Sequence, residues 1–399
     1  MRLEQAKFQA SPIHPPHSYS AVTSGPARTV DAPPNVDALF AFYGCKPAGQ
    51  FLQFARGTTH YIFEPPYNAV AGASDASTST AASPRRIAVC AHGIGTSTSV
   101  YETIATRLRR CGYHVLRYDF LGHGWSVGET VWMRYDADLF IEQLQTLLDH
   151  VLLDHERVDC FVGHSTGAVV GVVACMQLAR QIDNLVLISP VLWKNAPLTV
   201  QIADRCPQLV WRGLQGVLKP LRLGAQAYLE NTDAAFAKDA AGRYLYPEAH
   251  ATARAFNTRL LRSHPHIDGA IAGITFFFFN QDNLPRWRAA FASLGERSTQ
   301  PRRAALLWGT RDVVVAYDKH AAEAVAMGRP GRFSLLALRD LGHDSLVENP
   351  EAVADAVQRC LQPSHTALAE APGLATRSSG GADAGASSGE RREAPRSRL

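Results

Sequence analysis

The stretch "DCFVGHSTGAVVGVVAC", from Asp159 to Cys175, limits the possible folds more than any other part of the chain. Two apolar runs meet at Gly-His-Ser-Thr-Gly, with Ser165 in the middle and Gly163 and Gly167 two places away on either side. The first run, "VDCFVG", reads as a strand buried on both faces, because its apolar residues are near-continuous rather than alternating. The second, "TGAVVGVVACMQLAR", reads as a helix. A strand that turns this sharply into a helix strains its central residue, and side chains two positions away would strike neighbouring backbone. This is the G-x-S-x-G elbow in the strand–turn–helix setting it requires. The turn lifts the Ser165 hydroxyl over the sheet edge at a helix N-terminus, which favours negative charge. The alternative is an ordinary turn with a capping serine, and the flanking strand and helix weigh against it.

The same alternation runs through the middle of the chain. "RIAVCAHG", "HVLRYDF", "NLVLISP", "AALLWG" and "RFSLLAL" read as further buried strands, with helical patterns such as "YETIATRLRRCG" and "DLFIEQLQTLLDHV" between them. Strand–helix alternation at this spacing predicts right-handed βαβ units and a mostly parallel sheet, the α/β class. Ahead of them, "FLQFARGTTHYIFEP" predicts an antiparallel hairpin turning at Gly57. Residues 191–303 are too many for one crossover, and "DAAFAKDAAGRYL", "AHATARAFNTRLLRS" and "IDGAIAGITFFFF" read as helices. A helical cap is therefore expected over 194–300. It splits the α/β core into 37–193 and 301–362, and a flexible loop is expected at 69–86. Ligands of open parallel sheets bind outside the carboxyl ends of the strands, so a cap there would cover a site. Residues 1–36 and 363–399 are expected to be disordered, since their Pro, Ser, Gly and Ala content cannot offset the entropy of ordering.

Composition removes several function classes. With 399 residues, 46% of them hydrophobic, the chain can hold one large domain with an insertion, or two domains. A net charge of +4 gives no electrostatic case for nucleic acid. The 7 cysteines are scattered singly, which fits a reducing compartment better than a disulfide framework, and none has zinc-site spacing. The N-terminus lacks the apolar core of a signal peptide. The apolar runs fall short of the ~20 residues a membrane span needs, so a soluble protein with no transmembrane segment is expected. "GHGWSVG" at 122–128 resembles a dinucleotide fingerprint, but its last two glycines are four apart and Trp125 stands where backbone should meet a pyrophosphate.

A serine hydroxyl becomes a nucleophile only when a base takes its proton and an acid orients that base. In this strand–helix layout the partners follow in the order Ser, Asp or Glu, His. Asp312 lies just beyond the strand "AALLWG", and His343 lies in the loop beyond "RFSLLAL". All three residues therefore fall at one edge of the sheet. His164 precedes the serine and should point away from its hydroxyl; His320 lies in a helical stretch and His365 in the tail. Asp318 is too far into its helix, and Asp344 adjoins the histidine itself. The oxyanion of an attacked carbonyl needs preorganised donors. "AHGIG" (91–95) can turn its amides toward the site, which points to the Ile94 and Thr166 amides, with His92 as a structural residue.

Taken together, "HGIG", "RYDFLGHGWS", "GHSTG", "LLWGTRD" and "LGHDSLVENP", in this order over about 37–362, resemble the α/β-hydrolase superfamily, in particular its capped esterase/lipase-like branch. The resemblance implies an eight-stranded sheet whose second strand is antiparallel, with a helical cap after the sixth. It implies Ser165, Asp312 and His343 as nucleophile, acid and base, Ile94 and Thr166 as oxyanion donors, and Asp119 as a member of a structural loop beside the site. Relatives with Asp at the elbow are excluded by Ser165, and proline iminopeptidases place Trp where this chain has Thr166. The expected activity is that of a serine hydrolase for an apolar acyl ester, working without metal or organic cofactor. Thioesters and carbon–carbon bonds are open alternatives, and a non-catalytic hydrolase-like binding protein is the alternative of another class. Tyr244, Tyr246, Phe276, Phe277 and Trp287 in the cap are expected to bind the acyl group. The oligomeric state is not written in the sequence.

The last three residues, Ser397-Arg398-Leu399, keep the small residue, cation and leucine of a C-terminal peroxisomal address, on a tail of Ser, Gly and Ala. Recognition by a peroxisomal import receptor is the expectation, with a cytoplasmic location as the alternative. An N-terminally tagged protein should enter a peroxisome-type organelle and lose that location when Leu399 is removed. Imaging that finds both forms diffuse would end the idea.

Overall fold

A computed structural model describes residues 27–32, 36–67, 84–128, 135–193, 223–264, 283–294, 303–327 and 333–362, with 266–267, 270–271, 274, 278 and 301. Within them lies a ten-stranded sheet: β1 (Arg28–Val30), β2 (Gln50–Phe54), β3 (Gly57–Glu64), β4 (Arg86–Ala91), β5 (Tyr113–Tyr118), β6 (Val127–Gly128), β7 (Cys160–His164), β8 (Asn184–Ile188), β9 (Arg303–Gly309) and β10 (Phe333–Leu338). The order across the sheet is β1-β2-β3-β5-β4-β7-β8-β9-β10, with β6 paired to β3 off this path. From β5 through β10 the neighbours along that order are parallel. β3 runs antiparallel to both β2 and β5, so the hairpin turning at Gly57 is as expected.

The sheet has two strands beyond the expected eight, namely β1 and β6, both short and antiparallel. β1 falls inside the stretch expected to be disordered. An edge strand needs only backbone partners, and Val30 packs against the small cluster of Leu39, Phe51, Trp125 and Val127. The Arg28 guanidinium also bonds Gln53 Oε1 at 3.1 Å.

A first helix, α1 (Val36–Tyr43), precedes the hairpin, and helices flank both faces of the sheet. On one side α2 (Glu102–Arg110) contributes Ile104, Ala105 and Leu108 to an apolar cluster shared with α10 (Pro350–Leu361). On the other, α3 (Ala137–Val151) and α4 (Thr166–Gln177) bury their apolar faces against the sheet. The central strands are therefore covered on both sides, which is why their sequences do not alternate. The other two helices of the core are α8 (Tyr317–Met327) and the short α9 (Ser345–Glu348).

Between β8 and β9 come α5 (Leu223–Ala235), α6 (Pro247–Ser263) and α7 (Asn283–Ala292). The expected helix "DAAFAKDAAGRYL" is not one. α5 ends at Ala235, and a turn follows in which Lys238 bridges Tyr244. Asp239 decides this locally, since its carboxylate accepts from the Ala241 and Arg243 amides and so offers the backbone an alternative to helix. Most of the 69–86 loop, the 363–399 tail, and Phe276 and Phe277 lie outside the described residues. No described helix is long and apolar enough to cross a membrane.

The 122–128 glycines serve a fold role. Gly124 has φ +52°, and a side chain there would run into the Asp119 carboxylate. Asp119 is fully buried and accepts from the Thr98 amide at 2.7 Å, the Trp125 amide at 3.0 Å and His60 Nδ1 at 2.7 Å. Burial alone would raise its pKa, but the His60 contact, His92 and the Trp125 amide outweigh that and hold it at about 2. Because the folded value lies below the ordinary 3.8, this stabilisation is present above pH ~4 and is lost as pH falls toward 2. Asp119→Asn should lower unfolding stability by about 3–5 kcal/mol at neutral pH, the usual cost of breaking a buried pair. Urea titrations should show that gap narrowing between pH 4 and 2; a gap that does not change with pH would refute the ionic account.

Candidate active site

Ser165 sits between β7 and α4 with φ +54° and ψ −112°, a conformation that residues other than glycine rarely adopt. Two features hold it there. Its amide donates to the Ile188 carbonyl of β8 at 2.9 Å, and the flanking glycines allow the chain to close up. A Cβ on Gly167 would penetrate the Ala91 and His92 carbonyls at the end of β4, and one on Gly163 would penetrate the backbone of Gly167 and Ala168. The helix begins so close to the sheet that no side chain fits at either position.

The three residues in the expected order meet at this point. His343 Nε2 lies 3.0 Å from Ser165 Oγ, and His343 Nδ1 lies 3.0 Å from Asp312 Oδ2. A carboxylate can only accept, so Nδ1 carries the proton and leaves Nε2 free to accept from the serine hydroxyl. Asp312 is oriented by the loop after β9: its Oδ1 accepts from the Val314 and Val315 amides at 3.0 and 2.9 Å. That loop is tied to the His343 loop by the Arg311 amide, which donates to the Leu341 carbonyl at 2.9 Å. All three side chains are withdrawn from solvent, with Ser165 4%, Asp312 3% and His343 6% exposed.

Of the two residues expected to donate to an oxyanion, Thr166 follows the serine directly, and the turn that carries Ile94 passes close beside it. Thr166 opens α4, where first-turn amides have no acceptor within the helix. Ile94 lies on the turn after β4, and Gly93 before it is so close that a Cβ would press on the His164 ring and Ser165 Cβ. His92 is fully buried, and its Nε2 accepts from the Phe120 amide at 2.9 Å, the structural part expected of it. His164, expected to point away from the hydroxyl, is engaged with the backbone of the base: its Nε2 donates to the His343 carbonyl at 2.9 Å. Burial, together with the neighbouring His343, lowers its pKa to about 3, so the ring is neutral and supports the His343 backbone.

Three of the insertion residues expected to bind the acyl group, Trp287, Tyr244 and Tyr246, make their described contacts with other parts of the fold. Trp287 is only 2% exposed and packs on Phe278 within the main core, because α7 lies against α4. Tyr244 stacks on His250 with ring centroids 3.6 Å apart. Tyr246 is half-buried at the start of α6, beside the core cluster shared by α2 and α10. Bulky residues of the insertion bury first against neighbouring helices, a demand that sequence spacing does not separate from pocket lining.

Two residues to which the sequence reading gave no part come to the site instead. Tyr228 of α5 brings its hydroxyl to 3.5 Å from the Ile94 carbonyl, into space that a side chain on Gly95 would need. Glu348 of α9 bonds the Gly342 amide next to His343 at 2.8 Å. In sequence Tyr228 is one aromatic among many, and Glu348 lies within "LGHDSLVENP" with no local pattern that gives it a part at the site. Among the described residues no group of His, Cys, Asp and Glu could hold a metal ion.

Comparison with known proteins bears on the family and the fold. The rat monoglyceride lipase is 29% identical over 113 residues, which is 28% of this chain and 37% of that protein. The monoacylglycerol lipase of Mycolicibacterium smegmatis is 31% identical over 151 residues, 32% of this chain and 54% of its own length. The chain thus matches about a third to a half of the length of these relatives. In three dimensions, the enol-lactonase from Burkholderia xenovorans superposes with a TM-score of 0.54 at 18% identity, covering 76% of this chain and 96% of that one, a likeness of fold alone. The profile of the family described as serine aminopeptidase, S33, matches residues 82–350, a span from the start of the parallel sheet past His343. On that match, and on the mostly parallel sheet that carries the Ser165 elbow, the chain belongs to the serine aminopeptidase S33 family of the α/β-hydrolase superfamily.

Proposed function

We propose that the protein is a serine hydrolase that cleaves an apolar acyl ester through an acyl-enzyme, in the manner of a carboxylesterase or monoacylglycerol lipase. The observation that carries this reading is the hydrogen-bonded line from Asp312 through His343 to Ser165, ending on a serine held in a strained turn. In the first half-reaction Ser165 Oγ attacks the ester carbonyl and His343 Nε2 takes the hydroxyl proton. The oxyanion forms between the Ile94 and Thr166 amides, where the N-terminus of α4 adds a favourable dipole. The carbonyl re-forms as the alcohol departs with the proton from His343, leaving the acyl group on Ser165. Water, deprotonated by the same imidazole, then releases the acid. Asp312 holds the ring orientation and stabilises the imidazolium without taking the proton itself.

The class of substrate rests on similarity to the lipases and on the apolar character of the insertion, which acts as a cap in this reading. Ser165 is 4% exposed, and in this reading the substrate reaches it beneath the cap. By composition, the stretch around Phe276 and Phe277 supplies bulky apolar side chains for an acyl group.

A fluorophosphonate probe should label the wild type and leave Ser165→Ala unlabelled; equal labelling of both would refute the nucleophile assignment. His343→Ala should lower kcat by about 10³-fold or more with little change in KM, since it removes the base. Activity should fall as pH drops, because protonated His343 cannot accept the Ser165 proton. Medium-chain p-nitrophenyl esters should be turned over faster than acetyl esters. A kcat/KM that does not rise with chain length would remove the apolar-acyl part of the proposal.

A further inference from the structure

We propose that Glu348 is a positioning residue for His343, pinning the loop that carries the base to the first described helix of the insertion. The inference rests on the hydrolase reading of Ser165 and His343, and it assigns a part to a side chain that the mechanism does not otherwise use. Its two carboxylate oxygens accept from different segments: Oε2 from the Gly342 amide at 2.8 Å, and Oε1 from the Ala237 amide at 3.1 Å. Immediately alongside, the Ala235 carbonyl at the end of α5 accepts from the His343 amide at 2.7 Å and the Asp344 amide at 3.3 Å. The base is thus clasped through the backbone on both sides. Gly342 is the residue this packing requires, because a Cβ there would collide with the Ala235 carbonyl and Glu348 Oε1.

The clasp links the two halves of the site. α5 begins its contact with the oxyanion loop at Tyr228, whose hydroxyl approaches the Ile94 carbonyl, and two helical turns later it ends at the Ala235 carbonyl on the His343 loop. A displacement of α5 would therefore disturb the base and the oxyanion turn together, and Glu348 is the side chain that resists it.

Only an ionised carboxylate can accept both bonds with neither oxygen turned into a donor. Burial, the largest influence, pushes the Glu348 carboxyl up to about 7 against its two backbone bonds, and Asp344 and Asp312 add to the rise. Tyr246, at the start of α6, also lies within electrostatic reach of it, its phenol raised by burial and by Glu348. The carboxyl is therefore half ionised near pH 7. Above that it accepts both bonds; as pH falls one oxygen becomes a donor and the clasp loses an acceptor, although burial itself favours the neutral form. Loss of the clasp and protonation of His343 act in the same direction, so the acid side of the rate profile should depend on two protons.

The test compares Glu348→Gln and Glu348→Asp with wild type in the full chain, with Glu351→Gln on the exposed side of α10 as control. Thermal melts establish folding; fluorophosphonate labelling rates and medium-chain p-nitrophenyl ester kinetics are then followed across pH. In folded Glu348→Gln, kcat and the labelling rate should both fall about 10–100-fold, the scale expected when a base is displaced by about an ångström. KM should stay within about threefold, and the acid limb should change from a two-proton to a one-proton dependence. Glu348→Asp, which keeps a shorter carboxylate, should retain the second proton and recover part of the rate. Wild-type rates with a two-proton limb in Glu348→Gln, or a loss confined to KM, would overturn the proposal. If the Gln variant does not fold, a folded Asp variant with full wild-type kcat and labelling rate across pH would overturn it instead, because the shorter carboxylate is expected to restore only part of the rate. A wild type that the probe does not label at all would overturn the hydrolase reading itself, an outcome distinct from a labelled wild type with an indifferent Glu348.

Discussion

The close approach of α4 to the end of β4 is the constraint on which the site depends. At Gly167 the helix backbone lies against the Ala91 and His92 carbonyls with no space for a methyl group. That contact brings the helix N-terminus up to the edge of the sheet, and the chain can reach it from β7 only by putting Ser165 at φ +54°. Strain of this kind, typically about 1–3 kcal/mol, persists only where the surroundings over-determine it. Here they do, through the buried valines of α4, the β7–β8 pairing and the bond from the Ser165 amide to Ile188.

The parallel sheet turns this one strained turn into a site. Because β4, β7, β9 and β10 run in the same direction, the loops that follow them open at one edge, each delivering a different group: the Ile94 turn, Ser165, Asp312 and His343. The loops are then cross-linked to each other, Arg311 to Leu341, His164 to the His343 carbonyl, and Glu348 to both Gly342 and Ala237. Most of these bonds involve backbone, so the position of the imidazole is set by the main chain around it more than by its side-chain partners. Behind the Ile94 turn, buried Asp119 plays the same part by gathering the Thr98 and Trp125 amides.

The elements that were legible in the sequence share a physical cause. The central strands lie between two helical layers, so burial on both faces leaves a near-continuous apolar signal in one dimension. The elbow was legible because its glycines are required by backbone contacts that any chain with this turn must make. Asp312 and His343 could be placed because each follows a strand of recognisable type. β1 could not, since three residues with edge pairing bury too little to leave a pattern. The helical reading of "DAAFAKDAAGRYL" gives way for a related reason: the Asp239 turn depends on side-chain bonds to nearby amides, which compete with helix without altering composition.

By itself, then, the sequence determined the class of sheet, the strained serine and the order of the groups that meet it, because each is set by local backbone demands or by the periodicity of burial. Tertiary structure alone decided which residues of the insertion touch the site. Trp287, which looked like a pocket wall, became core because α7 packs on α4. Tyr228 met the Ile94 turn, and Glu348 met the Ala237 amide just past the end of the first described insertion helix, through contacts over 134 and 111 residues of separation. Such contacts depend on how helices from distant parts of the chain settle against one another, and no local pattern encodes that.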